Sequence, residues 1–599
     1  MTTRLRPSVV EVRGGTLLQG CREEELNQMQ PADAIAFFRV QGVRGNRAEI
    51  AKACEAYGCH PLSLRLLAGL VVNDWMSPGA IRVAQGLDVS EDLVQRQHHV
   101  LEQSYQSLAE GQRQLLSRIA CFRSPVVFGV IEATAIGATA AIRQLQADLR
   151  DLMNRGLLQH DRSTQRFDLH PIVRRYAYDR MGNPERTSAH EQLRDYFAAV
   201  PAPNQVKTIA DLAPVIELYH HTVRSGQYDE AMRLFYDRLH RPLYYRFGDY
   251  QLHIELVSAL FPQGEDHLPL LQDEGDQAWT LNELANNYSL NGQPKQAVPL
   301  FEQSITVSEK RAISGKQDNK LNLAISLGNL AYMAQLPIGA LQAADFNLCR
   351  AISLSQEIED KFLESTLCAE LAKLLAYRGL WAWVEALSEV ALKMFEAQGN
   401  VECQCMLWAD RAFSVLLQVR AGVQKAATTA LAAAERSLEL ANEAARTRYS
   451  GERNYVRSHW LLGAAHRVNH HLDESDTHLN EALTRCRAIN MVDHEADILL
   501  DLARLRLDQN QLEEALRLAT EAQEIAQRSG YVLQEADAQL FFAERALEQG
   551  NVPMAVDYAR ESRRLATCDG GEFVYKVTYD AAGELLHRIM GQYKDATKP

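Results

Sequence analysis

The chain has 599 residues, more than one hydrophobic core accommodates, so three or four folding units are expected. Apolar residues make up 46% and charged residues 23%, with no apolar run of membrane-spanning length and no signal-type apolar core in the N-terminal MTTRLRPSVVEV. This composition excludes membrane and secreted classes and points to a cytoplasmic globular protein with no membrane partner. Ten cysteines lie scattered without a CxxC or a paired framework, which reads as buried thiols in a reducing compartment.

The charge is uneven. Residues 1–200 hold 24 Lys+Arg against 22 Asp+Glu, and the remainder carries a balance of −16. That acidic excess argues against a nucleic-acid surface over the C-terminal two-thirds. Of the 24 basic residues in the first 200, 23 are Arg, the residue suited to bidentate carboxylate or phosphate pairing.

In chain order, the first distinctive stretch is GCHPLSLRLLAG at 58–69. Pro61 suits the first turn of a helix, where its missing N–H costs nothing, and Gly58 lets the backbone turn or approach something closely. The pair either punctuates a loop and a helix start or holds a ligand against the backbone.

QRQLLSRIACFR (112–123) has helical apolar spacing, a second helix is predicted near 127–134, and AIRQLQADLRDLMNRGLL (141–158) is a third, ended by Gly156. LLQHD and RFDLHP then flank the polar turn DRSTQ as a two-stranded ribbon. Helices followed by such a hairpin make a winged helix, a shape used on DNA. Arg143, Arg150 and Arg155 could reach phosphates, but Asp148 and Asp151 interleave with them and no base-reading set accompanies them. A solvated helix face is the preferred reading.

From about residue 205 helix follows helix. Leu284, Ala285, Tyr288, Gly292, Ala297 and Phe301 fall at tetratricopeptide (TPR) spacing. Leu502, Ala503, Asn510, Ala515 and Ala519 fill the same slots, as do Phe542, Ala543, Gly550, Ala555 and Ala559, with Leu462, Gly463, Leu479 and Ala482 as another copy. A small residue on each helix lets two backbones approach. It recurs at Gly463, Ala503 and Ala543, a step of 40, and less regularly at Tyr219, Ala285, Ala331, Ala372 and Ala412. The predicted architecture is mainly α: a helical domain and a winged helix followed by a TPR-like α-solenoid, a surface for a protein partner.

Other candidates read as structure. The stacks His98–His99, His220–His221 and His470–His471 lack Cys or carboxylate companions at ligand spacing, so no metal is expected. The LeuLeuAsp at 499–501 lies inside a repeat helix and reads as packing. No nucleophile–base constellation is visible, so no catalytic residues are assigned and no enzyme is expected from this chain.

The ordered set TTR (2–4), ADAIAFF (32–38), GCHPLSLRLLAG (58–69), RIACFR (118–123) and RFDLHPIVRRYA (166–177) resembles the STAND class of signalling ATPases, more narrowly bacterial NB-ARC proteins carrying TPR arrays. The resemblance covers residues 1–200 in detail and the rest as architecture. It implies a remnant of NTPase core with the sensor strand at 1–20, a helical domain at 21–92, a winged helix at 93–198 and repeats at 199–599. It also implies signal transduction, with oligomerisation of the activated full-length protein. Gly58 and Pro61 match the family loop that lies against adenine. His170 matches the winged-helix histidine that touches the ADP β-phosphate, although Pro171 stands where the family usually has Asp. Arg4 matches the γ-phosphate sensor. No GxxxxGK[ST] loop occurs, and the GKQ at 315–317 lacks the upstream Gly and the Ser/Thr. The chain therefore resembles the C-terminal part of a larger protein, with no cofactor of its own and ADP or ATP bound only when an upstream NTPase segment is present. The alternatives are a plain TPR scaffold and a winged-helix DNA-binding transcription regulator.

Overall fold

The computed structural model describes residues 28–85, 93–134, 142–202, 205–313, 317–423, 426–447 and 451–596. These form two compact units, one over 23–235 and one over 236–599.

The 23–235 unit opens with α1 (Pro31–Val40), α2 (Arg47–Ala56), α3 (Pro61–Val72) and the short α4 (Arg82–Gln85). A capping box starts α2: Glu49 N donates to Asn46 Oδ1 at 2.8 Å, and Asn46 N donates to Glu49 Oε2 at 3.0 Å. Next come α5 (Leu93–Gln106), α6 (Glu110–Ala120), β1 (Val126–Val127), α7 (Phe128–Thr134) and α8 (Ile142–Asn154). The hairpin of β2 (Gln159–Asp161) and β3 (Arg166–Asp168) turns where Asp161 accepts from Ser163 N at 2.8 Å. β1 pairs antiparallel with the other edge of β3, giving the order β1–β3–β2. A two-residue strand has no sequence periodicity to announce it, and only the hairpin was legible. The unit ends with α9 (Pro171–Asp179), α10 (Asn183–Ala198), α11 (Ala213–Arg224) and α12 (Tyr228–Leu234).

One continuous apolar cluster, including Phe38, Leu64, Leu67, Leu116, Phe122, Leu152 and Leu193, fills this unit. Its closest backbone approach is at Gly69, where a Cβ would stand 2.4 Å from the Arg155 carbonyl oxygen. α3 can therefore meet the end of α8 only through a glycine. Arg65 donates to the Leu158 carbonyl at 3.2 Å beside it.

The 236–599 unit is a TPR-like solenoid. After α13 (Tyr250–Ser258), helices pair as α14 (Glu274–Leu290) with α15 (Pro294–Ala312), and α16 (Gln317–Asn329) with α17 (Leu341–Glu357). A π-helical turn at Leu330–Gln335 extends α16. The pairing continues as α18 (Lys361–Tyr377) with α19 (Trp381–Ala397), α20 (Val401–Arg420) with α21 (Ala426–Thr447), and α22 (Glu452–Val468) with α23 (Leu472–Ala488). Then come α24 (Val492–Asp508) with α25 (Leu512–Ser529), α26 (Val532–Glu548) with α27 (Val552–Ala566), and a closing α28 (Lys576–Ala596).

The small positions read from the sequence sit at these helix contacts. Ala285, Ala331, Ala412, Ala503 and Ala543 have no exposure, and neither do Ala297, Ala482, Ala515 and Ala555 on the facing helices. At Gly463 a Cβ would stand 2.7 Å from Leu479 Cγ and 2.9 Å from Leu479 N, so α22 and α23 touch backbone to side chain. The solenoid also winds back onto itself. Asn490 Nδ2 donates to Asn291 Oδ1 at 3.2 Å, joining the turn after α14 to the turn before α24 across 199 residues. Val532 N donates to the Pro337 carbonyl at 2.9 Å, and Arg378 pairs with Glu572 at 3.0 Å. Among the described residues nine cysteines are free thiols.

Candidate functional site

The first helix of each pair lines the inside of the solenoid. Two adjoining pockets open there: Arg420, Asp501 and Asp537 border one, Tyr332, Lys373, Asp493 and His494 the other, and Tyr377, Phe413, Trp460, Asp497 and Gln534 line both. Many recur at the repeat step: Lys373, Phe413, Arg453 and Asp493 fall 40 apart, as do Tyr377, Leu417, Arg457, Asp497 and Asp537. A position that faces inward on one helix faces inward on the next, so this register turns a sequence period into a lining.

Most of the charges there are compensated by charges on other helices of the solenoid. Arg453 Nη2 lies 2.6 Å from Asp493 Oδ2, and His494 Nδ1 lies 2.9 Å from the same oxygen. Arg420 grips Asp537 with both guanidinium nitrogens, at 2.7 and 2.8 Å, and Tyr575 Oη donates to that carboxylate at 3.1 Å. Lys373 Nζ stands 3.5 Å from Asp410, which Arg457 also contacts. Trp460 Nε1 donates to Asp501 at 2.8 Å, fixing the LeuLeuAsp aspartate inside α24 as a packing and hydrogen-bonding residue.

Two acids stand apart from this scheme. Asp497 accepts from Gln534 Nε2 at 3.1 Å, and burial together with the charges of Asp537 and Asp501 pushes its carboxyl up to about 7. Glu370 Oε2, beside Gly328 of α16, has no hydrogen-bond partner. Burial and the Asp410 charge raise the Glu370 carboxyl to about 8. Around Asp497 the aromatic rings of Tyr377, Phe413 and Trp460 follow one another, with centroids 5.3 and 6.0 Å apart. Asp497 beside these aromatic faces suits a cation that brings apolar surface with it.

The residues proposed from sequence for nucleotide contact lie in the 23–235 unit, except Arg4, which is outside the described residues. Gly58 adopts φ +63° and closes α2, with its N–H bonded to the Glu55 carbonyl at 2.9 Å. Pro61 is exposed and opens α3 at its first position. Helix punctuation thus accounts for both local conformations. His170 caps α9, its Nδ1 accepting from Ile172 N at 3.3 Å, and α9 packs on α6. Just past α8, Arg155 is held by Asp151 at 2.7 Å and by Ser107 at 2.9 Å, while Arg143 and Arg150 on α8 are exposed.

Sequence reasoning missed the company the histidine stacks keep. His220 and His221 on α11 meet His190 of α10, with one ring nitrogen of each within 4.8 Å of the others. The missing ligand was 31 residues away on a different helix. A second group, His240, His253 and Glu283, gathers in the other unit. There Glu283 Oε1 takes His253 at 3.0 Å, His240 at 3.2 Å and Asn287 Nδ2 at 3.0 Å, an arrangement a hydrogen-bond network explains.

Residues 455–528 match the tetratricopeptide repeat family. Proteins of Mycobacterium bovis and Mycobacterium tuberculosis named as HTH-type transcriptional regulators are 27% identical over 192 residues. The match takes in 30% of this chain and 20% of their length. Among solved structures, a STAND protein with a tetratricopeptide repeat sensor from Pyrococcus horikoshii is 15% identical, with a TM-score of 0.33 over 94% of this chain and 75% of that one. A Rap protein complexed with competence and sporulation factor is 11% identical, with a TM-score of 0.39 over 64% of this chain and 98% of that one. Both scores are too low to carry more than the statement of likeness. What the chain contains, on sequence and geometry together, is a tetratricopeptide segment at 455–528 within a longer run of helical pairs.

Proposed function

We propose that the chain is a regulatory, signal-transducing protein of the STAND NB-ARC type whose repeats bind a protein partner inside the solenoid. The observation that carries the partner-binding part is the inner lining: Asp497, whose carboxyl is held by Gln534 and faces the charges of Asp537 and Asp501, beside Tyr377, Phe413 and Trp460. A partner segment with Lys or Arg next to an apolar residue would neutralise the acid and stack on the rings.

In this reading residues 1–20 belong to an NTPase core, 21–92 to a helical domain, 93–198 to a winged helix and 199–599 to the sensor. Gly58 and Pro61 would lie against adenine and Arg4 would sense a γ-phosphate. With its Nδ1 accepting from Ile172, neutral His170 carries its hydrogen on Nε2, the donor that an ADP β-phosphate needs. ADP would then hold the closed state.

The experiment is fluorescence polarisation of the full chain against basic, apolar and acidic extended peptides. The reading expects basic–apolar peptides to bind best and Asp497→Asn or Trp460→Ala to weaken them about tenfold or more. Equal binding of acidic peptides, or indifference to both substitutions, would overturn it. A DNA-binding regulator is the second reading, favoured by the exposed Arg143 and Arg150. It requires tight sequence-selective DNA binding with a steep salt dependence, lost when both arginines are replaced.

A further inference from the structure

The three histidines at the α10–α11 contact make no part of the cavity or of the nucleotide reading, and their geometry is specific. His190 Nδ1 and His221 Nδ1 face each other at 2.9 Å. The ring centroids are 5.1 Å apart for His190–His221, 5.8 Å for His190–His220 and 5.2 Å for His220–His221. His190 is 1% exposed and His221 not at all, whereas His220 is partly exposed.

Behind the rings stand groups that orient them. His190 Nε2 meets Tyr178 Oη at 3.0 Å. His221 Nε2 lies 3.6 Å from Glu217 Oε2, and Glu217 is fixed by the N–H groups of Ser124 at 3.0 Å and Arg123 at 3.3 Å. The Phe122 and Phe197 rings close over His221 at 5.9 and 5.7 Å. A polar group behind each buried imidazole, with an apolar wall around it, is the outer shell that metal-ligating histidines require.

A plain hydrogen bond between His190 and His221 engages two of the rings, and His220 bonds the Cys121 carbonyl, so hydrogen bonding does not join His220 to the other two. A metal ion engages all three. Zn–N bonds of about 2.0–2.1 Å place tetrahedral nitrogens roughly 3.3 Å apart, within a small side-chain rotation of the present 4.8 Å limit.

We propose that His190, His220 and His221 bind one Zn2+ ion, which staples α10 to α11. Three neutral imidazoles suit a borderline cation over Mg2+ or Ca2+, and the partly exposed side at His220 gives entry and a water for the fourth position. Burial, with Arg224 and Arg186 nearby, lowers His190 to about 4, and burial lowers His220 to about 3, so the rings are neutral at physiological pH, as ligation requires. Glu217 offsets part of the repulsion that those arginines exert on a cation.

The test uses the full chain after chelator dialysis, titrated with Co2+ as a spectroscopic stand-in and then with Zn2+ in competition. The expected result is a tetrahedral Co2+ spectrum saturating at one equivalent and a melting temperature that rises with Zn2+. His220→Gln, at the partly exposed ring, should abolish the spectrum and weaken Zn2+ by about tenfold or more. His220→Cys keeps a ligand, so it should retain binding and add thiolate-to-cobalt charge-transfer absorption, which separates ligand loss from misfolding. His253→Gln, in the other cluster, should leave the Co2+ spectrum and its one-equivalent saturation unchanged. No tetrahedral spectrum in the unsubstituted chain, a spectrum that ignores His220→Gln, or one lost with His253→Gln would each overturn the assignment.

Discussion

In the repeats, ionisable groups come indoors as charges: Arg453 with Asp493 and Arg420 with Asp537, each across a helix boundary. In the 23–235 unit the groups around Phe122 and Phe197 come indoors mostly as neutral rings, His190 and His221, with Glu217 held there by the N–H groups of Ser124 and Arg123. In the repeats Arg453 finds Asp493 one 40-residue step along, and Arg420 finds Asp537 across 117 residues where the solenoid returns on itself. The 23–235 unit has no such repeat, and its aromatic core favours the uncharged form. The difference teaches that a winding repeat supplies partners as well as packing.

The largest expected effect removes one side of an indoor pair. Asp537 is 7% exposed and held bidentately, so Arg420→Ala should cost about 3 kcal/mol by leaving a buried carboxylate with only Arg504, at 3.9 Å, as a cation. Replacing both residues, Arg420→Met with Asp537→Leu, should recover most of that loss in denaturant titrations. A single-variant cost under about 1 kcal/mol would mean the pair is effectively solvated and would break the comparison.

Next come the two close approaches. Gly69→Ala would drive a methyl to 2.4 Å from the Arg155 carbonyl, and Gly463→Ala to 2.7 Å from Leu479 Cγ. Each should destabilise its own unit by about 1–3 kcal/mol. All three nearest atoms at Gly69 are Arg155 backbone, from 2.4 Å, whereas at Gly463 the nearest backbone atom is Leu479 N at 2.9 Å, so Gly69→Ala should cost more. Hydrogen exchange on the full chain assigns each loss to its unit, and loss spread evenly over both units would contradict local packing as its cause.

The pH responses should run in opposite directions. Asp497 at about 7 and Glu370 at about 8 lie above their unfolded values near 4, so their contribution is intact below about pH 4 and is lost as pH rises through 7 to 8. Asp497→Asn should flatten that decline between pH 5 and 8. His190 at about 4 lies below its unfolded value near 6.5, so its contribution is present above about pH 6.5 and is lost as pH falls towards 4. His190→Gln should flatten that acid side. Thermal melts of each variant against the unsubstituted chain isolate the single group, and matching slopes for variant and parent would show that the group does not titrate as described.

How far the fold was legible follows the same divide. Ala503, Ala543 and Gly463 announce the solenoid because small residues at one spacing are a packing pattern, and DRSTQ announces the hairpin because turn chemistry is local. The contacts joining Asn291 to Asn490 and Arg378 to Glu572 were not legible, since nothing in a local pattern reports a solenoid returning on itself after 199 and 194 residues. Asp497 was invisible as a site for the same reason: its character comes from Asp537, Gln534 and three rings on other helices. His190 lies on α10, ahead of the α11 pair His220–His221, so spacing rules that look within one helix pass over it.

The smallest effect falls on His170, where the local and the functional reading separate. The cap it gives Ile172 N is long, at 3.3 Å, so His170→Ala should cost the chain about 0.5–1 kcal/mol, near the lower end for lost N-caps. Calorimetry with ADP on the full chain should show weak binding or none, because the sequence has no GxxxxGK[ST] loop to cradle phosphates and Gly58, Pro61 and His170 would reach the base and one phosphate at most. An extended protein that includes an NTPase segment should bind ADP, and there His170→Ala should loosen binding and raise basal activity well beyond what the lost cap explains. His170→Asn keeps a capping oxygen but replaces the imidazole, so it should restore the stability and leave the ADP effect in place. Restoration of both by Asn would make His170 a helix cap and nothing more, while micromolar ADP binding by residues 1–599 alone would show that phosphate recognition does not need the loop.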